Sequence, residues 1–173
     1  MSVSQGRALG LSRLLLKLFI GLNIVVATGF FVLLVASFAF EDAFLGYYRS
    51  RMPQVNAELL VPTLRGMVLI GAPMFAAVHV LLTRILEIVD SVGIGRPFVL
   101  ENAVRLRTIA WALVMLQVLH LAFGVATRFI AAANFEMEWD FSLAGWLAVL
   151  LAFVLAQVFE QGARMRDDLE AMI

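Results

Sequence analysis

Charged residues divide the chain into four long uncharged runs separated by short polar connections. No Asp, Glu, Lys or Arg occurs from Leu18 to Phe40, Gly66 to Thr83, Thr108 to Thr127, or Phe141 to Phe159. Runs of 23, 18, 20 and 19 residues, rising about 1.5 Å per residue as helices, cover most or all of a hydrocarbon layer of roughly 30 Å. The predicted spans are 18–40, 64–84, 108–130 and 141–160. The predicted fold class is all-α: a single membrane domain over residues 1–173, organised as a four-helix transmembrane bundle. A soluble helical protein of this length would expose too much apolar surface.

The connections carry their own signals. Near Glu41 the aromatic run Phe38, Phe40, Phe44, Tyr47 and Tyr48 suggests an interfacial belt. From Tyr48 to Pro62 the residues Pro53, Asn56 and Pro62 predict irregular backbone with one surface helical turn, and the second span then starts near Thr63. Pro73 lies inside that span and cannot donate to the Leu69 carbonyl, which predicts a kink. Beyond Thr83 the helical pattern continues to Val92. Gly93 and Gly95 can take the positive φ values that end helices, and Pro97 blocks continuation. A new helix is expected near Glu101, whose carboxylate can face Arg105 one turn on. The result is a tight helical hairpin between the second and third spans.

Helix packing in lipid relies on close backbone approach. Ala144, Ala148, Ala152 and Ala156 repeat at every fourth position of the last span, with Ala72 and Ala76, and Ala122 and Ala126, as matching surfaces. They predict packing within the bundle, or between copies in a homo-oligomer. Trp111, Trp139 and Trp146 are expected at span ends, at the membrane interface.

Composition supports the membrane reading: 62% of residues are hydrophobic, mean hydropathy is +0.95, and 15% are charged, against about 25% in soluble domains. Basic residues set the orientation. Arg7, Arg13, Lys17, Arg84, Arg96, Arg105, Arg107, Arg164 and Arg166 fall on one side and Arg49, Arg51, Arg65 and Arg128 on the other, nine against four. By the positive-inside rule both termini, and the hairpin, are expected in the cytoplasm. The first apolar run exceeds the roughly 7–15 residues of a signal peptide's apolar core, so it reads as an uncleaved anchor. A formal net charge of zero gives no support for a nucleic-acid surface. The absence of cysteine excludes disulfides, thiolate metal sites and cysteine nucleophiles.

Candidate chemistry is sparse. His79 and His120 lie within spans, and paired histidines can ligate haem. Measured from Arg84 and Arg107, however, they lie about 8 Å and 20 Å deep, and axial ligands need similar depth. The expectation is an internal polar cluster of His79, Gln117 and His120, with Asn23, Thr28 or Gln157 nearby, and no cofactor. The spans lack ionisable Asp, Glu, Lys and Arg, which disfavours a proton-coupled carrier. Phosphate loops, metal-ligand spacings and nucleophile–base sets are absent, so no enzyme is expected. Glu136, Glu138 and Asp140 read as a solvated acidic turn rather than a cation site.

The segment from Ile85 to Arg107, ILEIVDSVGIGRPFVLENAVRLR, carries Arg96, Pro97, Phe98, Glu101, Asn102, Ala103, Arg105, Leu106 and Arg107. The segment LAQVFEQGARMRDDLE, Leu155 to Glu170, carries Phe159, Gly162, Ala163, Arg164, Arg166, Asp168 and Glu170. Together they resemble the signature of a bacterial membrane family labelled domain of unknown function 2975. Leu100 stands where members often have Pro, and Gln157 where they often have Glu. The resemblance implies a four-span protein of the bacterial inner membrane without established activity, often encoded beside small helix-turn-helix regulators. Both segments belong to the cytoplasmic side. Asp90, Arg96, Glu101, Asn102, Arg105, Arg164, Arg166 and Asp168 are therefore the candidate surface for docking a small cytosolic regulator. The alternative is a small-molecule binder or carrier that uses the internal cluster.

Overall fold

The computed structural model describes residues 3–171, with side chains from 6 to 169. Regular structure among these residues is helical throughout: α1 (Val3–Ala39), α2 (Glu41–Arg51), α3 (Ala57–Gly93), α4 (Leu100–Ala132) and α5 (Leu143–Ala171). The helices α1, α3, α4 and α5 are long and apolar enough to cross a membrane, four in number as the uncharged runs predicted. The start of α1, the last turns of α5 and the α3–α4 turn lie at one end of the molecule, hereafter the basic end. The α2 helix and the α4–α5 connection lie at the opposite end.

The long helices form a row rather than a closed bundle. α1 packs on α3, α3 on α4 and α4 on α5, while α1 and α5 at the two edges do not approach each other. In water an unclosed row would leave two apolar faces hydrated. In lipid the acyl chains are as apolar as Leu, so no hydrophobic force drives closure. The α1 helix accordingly exposes most of its apolar side chains and packs on α3 along a single stripe that includes Arg13, Ile20, Asn23, Ala27, Leu34 and Ser37. Arg13 reaches Asp90, the Asn23 amide donates to the Phe75 carbonyl at 3.1 Å, and Phe30 lies 5.6 Å from Phe75. The Asn23 bond lands two residues beyond Pro73, through which α3 runs unbroken.

The segment read as irregular is mostly helical. α2 follows α1 almost directly, with Glu41 and Asp42 in its first turn and Arg49 and Arg51 in its last, the arrangement that complements the helix dipole. α3 then begins at Ala57, before Pro62 rather than after it. The Asn56 side chain accepts the Leu59 N–H at 3.2 Å and caps the helix. Burial of Ala57, Leu60 and Val61 outweighs the one hydrogen bond that Pro62 forfeits.

Arg65 fastens this corner. Its side chain is 11% exposed, and its Nε donates to Ser37 Oγ at 3.0 Å while Nη1 donates to Glu41 at 3.4 Å. Nη2 donates to the Ser37 carbonyl, one of those left unpaired at the end of α1, and the guanidinium lies 4.1 Å from the Phe38 ring centroid.

Helix seams follow a spacing different from the predicted alanine stripe. On α5 the inward positions are Val149, Ala152, Ala156 and Ala163, whereas Ala144 is exposed and Ala148 half-buried. A strict repeat of four drifts by about 40° per step on a helix of 3.6 residues per turn, whereas alternating steps of three and four hold one face. On α3 and α4 the buried alanines likewise include Ala77, Ala103 and Ala110, whereas Ala72, Ala76 and Ala122 are exposed.

The α4–α5 connection turns back along α4. Asn134 takes a positive φ of 58°, a conformation Asn tolerates, and the Asn56 N–H donates to the Ala133 carbonyl at 2.9 Å. Phe135 and Met137 pack on the buried cluster Val55, Leu60, Met67, Ile130 and Ala133. Trp139 then lies against Gly124, and its indole N–H donates to the His120 carbonyl at 3.1 Å. His120 is 12 residues from the end of α4, about 18 Å along the axis. Trp139 is thus a packing residue that ties the connection to α4. Ser142 caps α5 by accepting the Gly145 N–H at 3.1 Å.

A Cβ at position 124 would lie 2.6 Å from Cδ2 and 2.7 Å from Cζ2 of Trp139. Gly124→Ala is expected to expel the indole, shift tryptophan emission, and lower stability in detergent by about 1–3 kcal/mol. Unchanged emission and unchanged thermal unfolding would show that Trp139 does not occupy this groove.

Candidate functional site

The predicted docking residues converge in part, around the α3–α4 turn. Gly95, at φ 77°, is the left-handed residue that ends α3; Gly93 remains helical, and the space beside it admits the Arg13 guanidinium. The Arg96 N–H then donates to the Ser91 carbonyl at 3.0 Å, closing the turn before Pro97 and Phe98. The Phe98 ring packs 5.3 Å from Phe159 and over Gly162, joining the turn to α5.

Asn102 organises the turn from below. It is fully buried. Its Nδ2 donates to Ser91 Oγ at 2.6 Å and to the Pro97 carbonyl at 2.8 Å, and its Oδ1 accepts from Arg105 Nη1 at 2.7 Å. Arg105 Nε donates to Glu87 Oε2 at 3.0 Å, and Arg84 Nη1 reaches both Glu87 oxygens at 3.0 and 2.9 Å. Arg105 therefore bridges to α3 instead of pairing with Glu101 as the sequence suggested. One carboxylate held by two guanidinium groups is a stronger arrangement than an isolated surface pair.

Above this network lies an open cleft of about 680 Å³ lined by Arg13, Glu87, Asp90, Arg96, Glu101 and Arg105, among others. Arg13 Nε lies 2.6 Å from Asp90 Oδ1, an ionic contact without hydrogen-bond alignment. A second cleft of about 290 Å³ joins Arg96 and Glu101 to Arg166 and Asp167 of α5. Arg96 and Glu101 line both clefts and are exposed. Arg164 and Asp168 do not line either. Arg164 instead holds Glu160 at 2.7 Å, and Glu160 also holds Arg107 at 2.8 Å, pinning α5 to α4. The side chain of Glu170 lies outside the described residues.

Sequence reasoning missed Arg13, Glu87 and Asp167. Glu87 had a local signal, its position three residues after Arg84. Arg13 had none, because α1 meets α3 only in the folded molecule.

The internal polar cluster does not assemble. The Ser91–Asn102 and Glu87–Arg105 contacts set an antiparallel register in which His79 faces the level of Leu113 and Val114. His120 is six residues further, about 9 Å away, so the predicted depth offset stands. His120 packs against Trp139 with ring centroids 5.4 Å apart, while the Gln117 amide fills the space beside Gly145 of α5. Thr28 bonds within its own helix and Gln157 is exposed. Among the described residues no group of three His, Asp or Glu side chains could hold a metal ion.

Four membrane-length helices joined by short connections, with polar networks at their ends, define a multi-pass membrane protein. The chain belongs to the family described as Protein of unknown function (DUF2975), whose model matches residues 43–173. The match covers α2 to α5 and so extends well before the two segments that suggested it. No curated protein and no solved structure matches the chain.

Asn102→Leu keeps the volume but removes partners from Ser91, the Pro97 carbonyl and Arg105. Unfolding in detergent is expected to show a loss of about 2–3 kcal/mol, with unchanged helix content at low temperature. Stability equal to the unsubstituted protein would mean that this amide does not hold the turn.

Proposed function

We propose that the protein is a non-enzymatic interaction module of the bacterial cytoplasmic membrane that docks a small cytosolic regulator at the basic end. The observation that carries this reading is the contrast within the cleft. Arg105, Glu87, Arg84 and Asn102 are committed to one another, whereas Arg96 and Glu101 are exposed with no side-chain partner among the described residues. A paired floor keeps the surface rigid, and exposed charges of both signs can select and orient a partner. The helix-turn-helix regulators implied by the resemblance are the partner class of choice.

The same reading places both termini in the cytoplasm, following the excess of arginine at that end. The native chain has no cysteine, so single cysteines can report the orientation. Gly6→Cys and Asp168→Cys are expected to react with an impermeant maleimide only in inverted vesicles. Labelling of either one in intact cells would overturn the assignment.

Docking is tested by co-purification in mild detergent. The paired substitution Arg96→Glu with Glu101→Arg is expected to reduce retention of the regulator about tenfold or more. Arg164→Glu, away from the clefts, is expected to leave it unchanged. Equal retention by all three proteins would remove the cleft as the docking surface.

A further inference from the structure

Toward the opposite end lies a further pocket, of about 450 Å³, lined by Met74, His120, Phe123, Glu138, Trp139 and Asp140. Its size falls within the roughly 300–1,000 Å³ usual for small-molecule sites. Its depth is unusual. Met74 is nine residues along α3 from Arg65, about 13 Å below the layer where Arg65 bonds Ser37 and Glu41. Because the α4–α5 connection runs back along α4, it brings the exposed side chains of Glu138 and Asp140 beside Met74.

Carboxylates held beside hydrocarbon are costly unless a positive charge compensates them. No Lys or Arg lines this pocket, and neither carboxylate has an ion pair among the described residues. The remaining walls are aromatic or soft: Trp139 tilted at 54° against His120, Phe123, and the Met74 thioether. Aromatic faces attract weakly hydrated organic cations, whereas a metal ion would need several converging oxygen or nitrogen ligands. Trp139 is also fixed in place, by the Gly124 groove and by its bond to the His120 carbonyl, so the aromatic wall is preformed.

We infer that this pocket binds a lipophilic organic cation of the quaternary ammonium or phosphonium class, with Glu138 and Asp140 supplying charge and Trp139 the aromatic face. The site lies at the end of the molecule away from the docking cleft and does not depend on it.

The probe is tetraphenylphosphonium, added to the full chain in nanodiscs, with binding read by equilibrium dialysis and by tryptophan emission. Binding is expected to saturate and to quench emission. Trp139→Phe should remove the saturable quench while dialysis still detects the cation. The double substitution Glu138→Gln with Asp140→Asn should weaken binding about tenfold or more, and Glu136→Gln, outside the pocket, should not. Tetraphenylborate, of the same shape and opposite charge, should show no saturable binding when added alone. Partitioning of the cation that never saturates, equal affinity in the double variant, or saturable binding of the borate alone would overturn the proposal.

Discussion

Hydrocarbon supplies neither hydrogen bonds nor counter-charges, and the arrangement of polar side chains in this protein follows from that constraint. Polar groups gather in two layers. One joins Arg84, Glu87, Arg105 and Asn102; the other joins Arg65, Ser37 and Glu41. From Arg65 to Arg84 is 19 residues of α3, about 28 Å of helix, close to the thickness of a bilayer's apolar core. Between the layers the seams combine small residues with aromatic contacts such as Phe30 on Phe75 and Trp111 on Phe153, and exceptions to the apolar lining include Asn23 and the pocket beside His120.

The open row of helices is a consequence of the same solvent. A soluble bundle must close to hide its apolar faces. Here α1 can lie at an edge, held by Arg13, Asn23, Phe30 and the Arg65 corner, because lipid covers the rest at no cost. Specific polar ties add to the α1–α3 seam and fix its register. The Asn23 amide on the Phe75 carbonyl is the clearest example, since it braces α3 just past the proline that removes one of its own hydrogen bonds.

Much of the basic end was legible in the chain. Arg96, Glu101 and Arg105 were identified as neighbours, and the turn at Gly95 was placed correctly. The partners were not legible. Arg105 has Glu101 one turn away on its own helix, yet it bonds Glu87 on α3, because the α3–α4 seam brings that carboxylate within 3.0 Å. Asn102 was read as a surface residue and is the most deeply buried polar group of the turn. Local spacing ranks partners within one helix and says nothing of a facing helix. Pro62 misled in the other direction: its own backbone argued for a loop, and the burial of Leu60 and Val61 against the rest of the fold overrode it.

By itself the sequence determined the number of membrane helices, because uncharged runs of bilayer length have one stable form in lipid. It also determined the sharp α3–α4 turn, which depends on local backbone preferences at Gly95 and Pro97. Tertiary structure decided everything that needs two segments to meet: the row instead of a ring, the Glu87 clamp, and the return of Glu138 and Trp139 along α4. Those features depend on relative helix position and register, which are set by the shapes of facing seams and by connections that fold back, and no periodicity along a single segment encodes either.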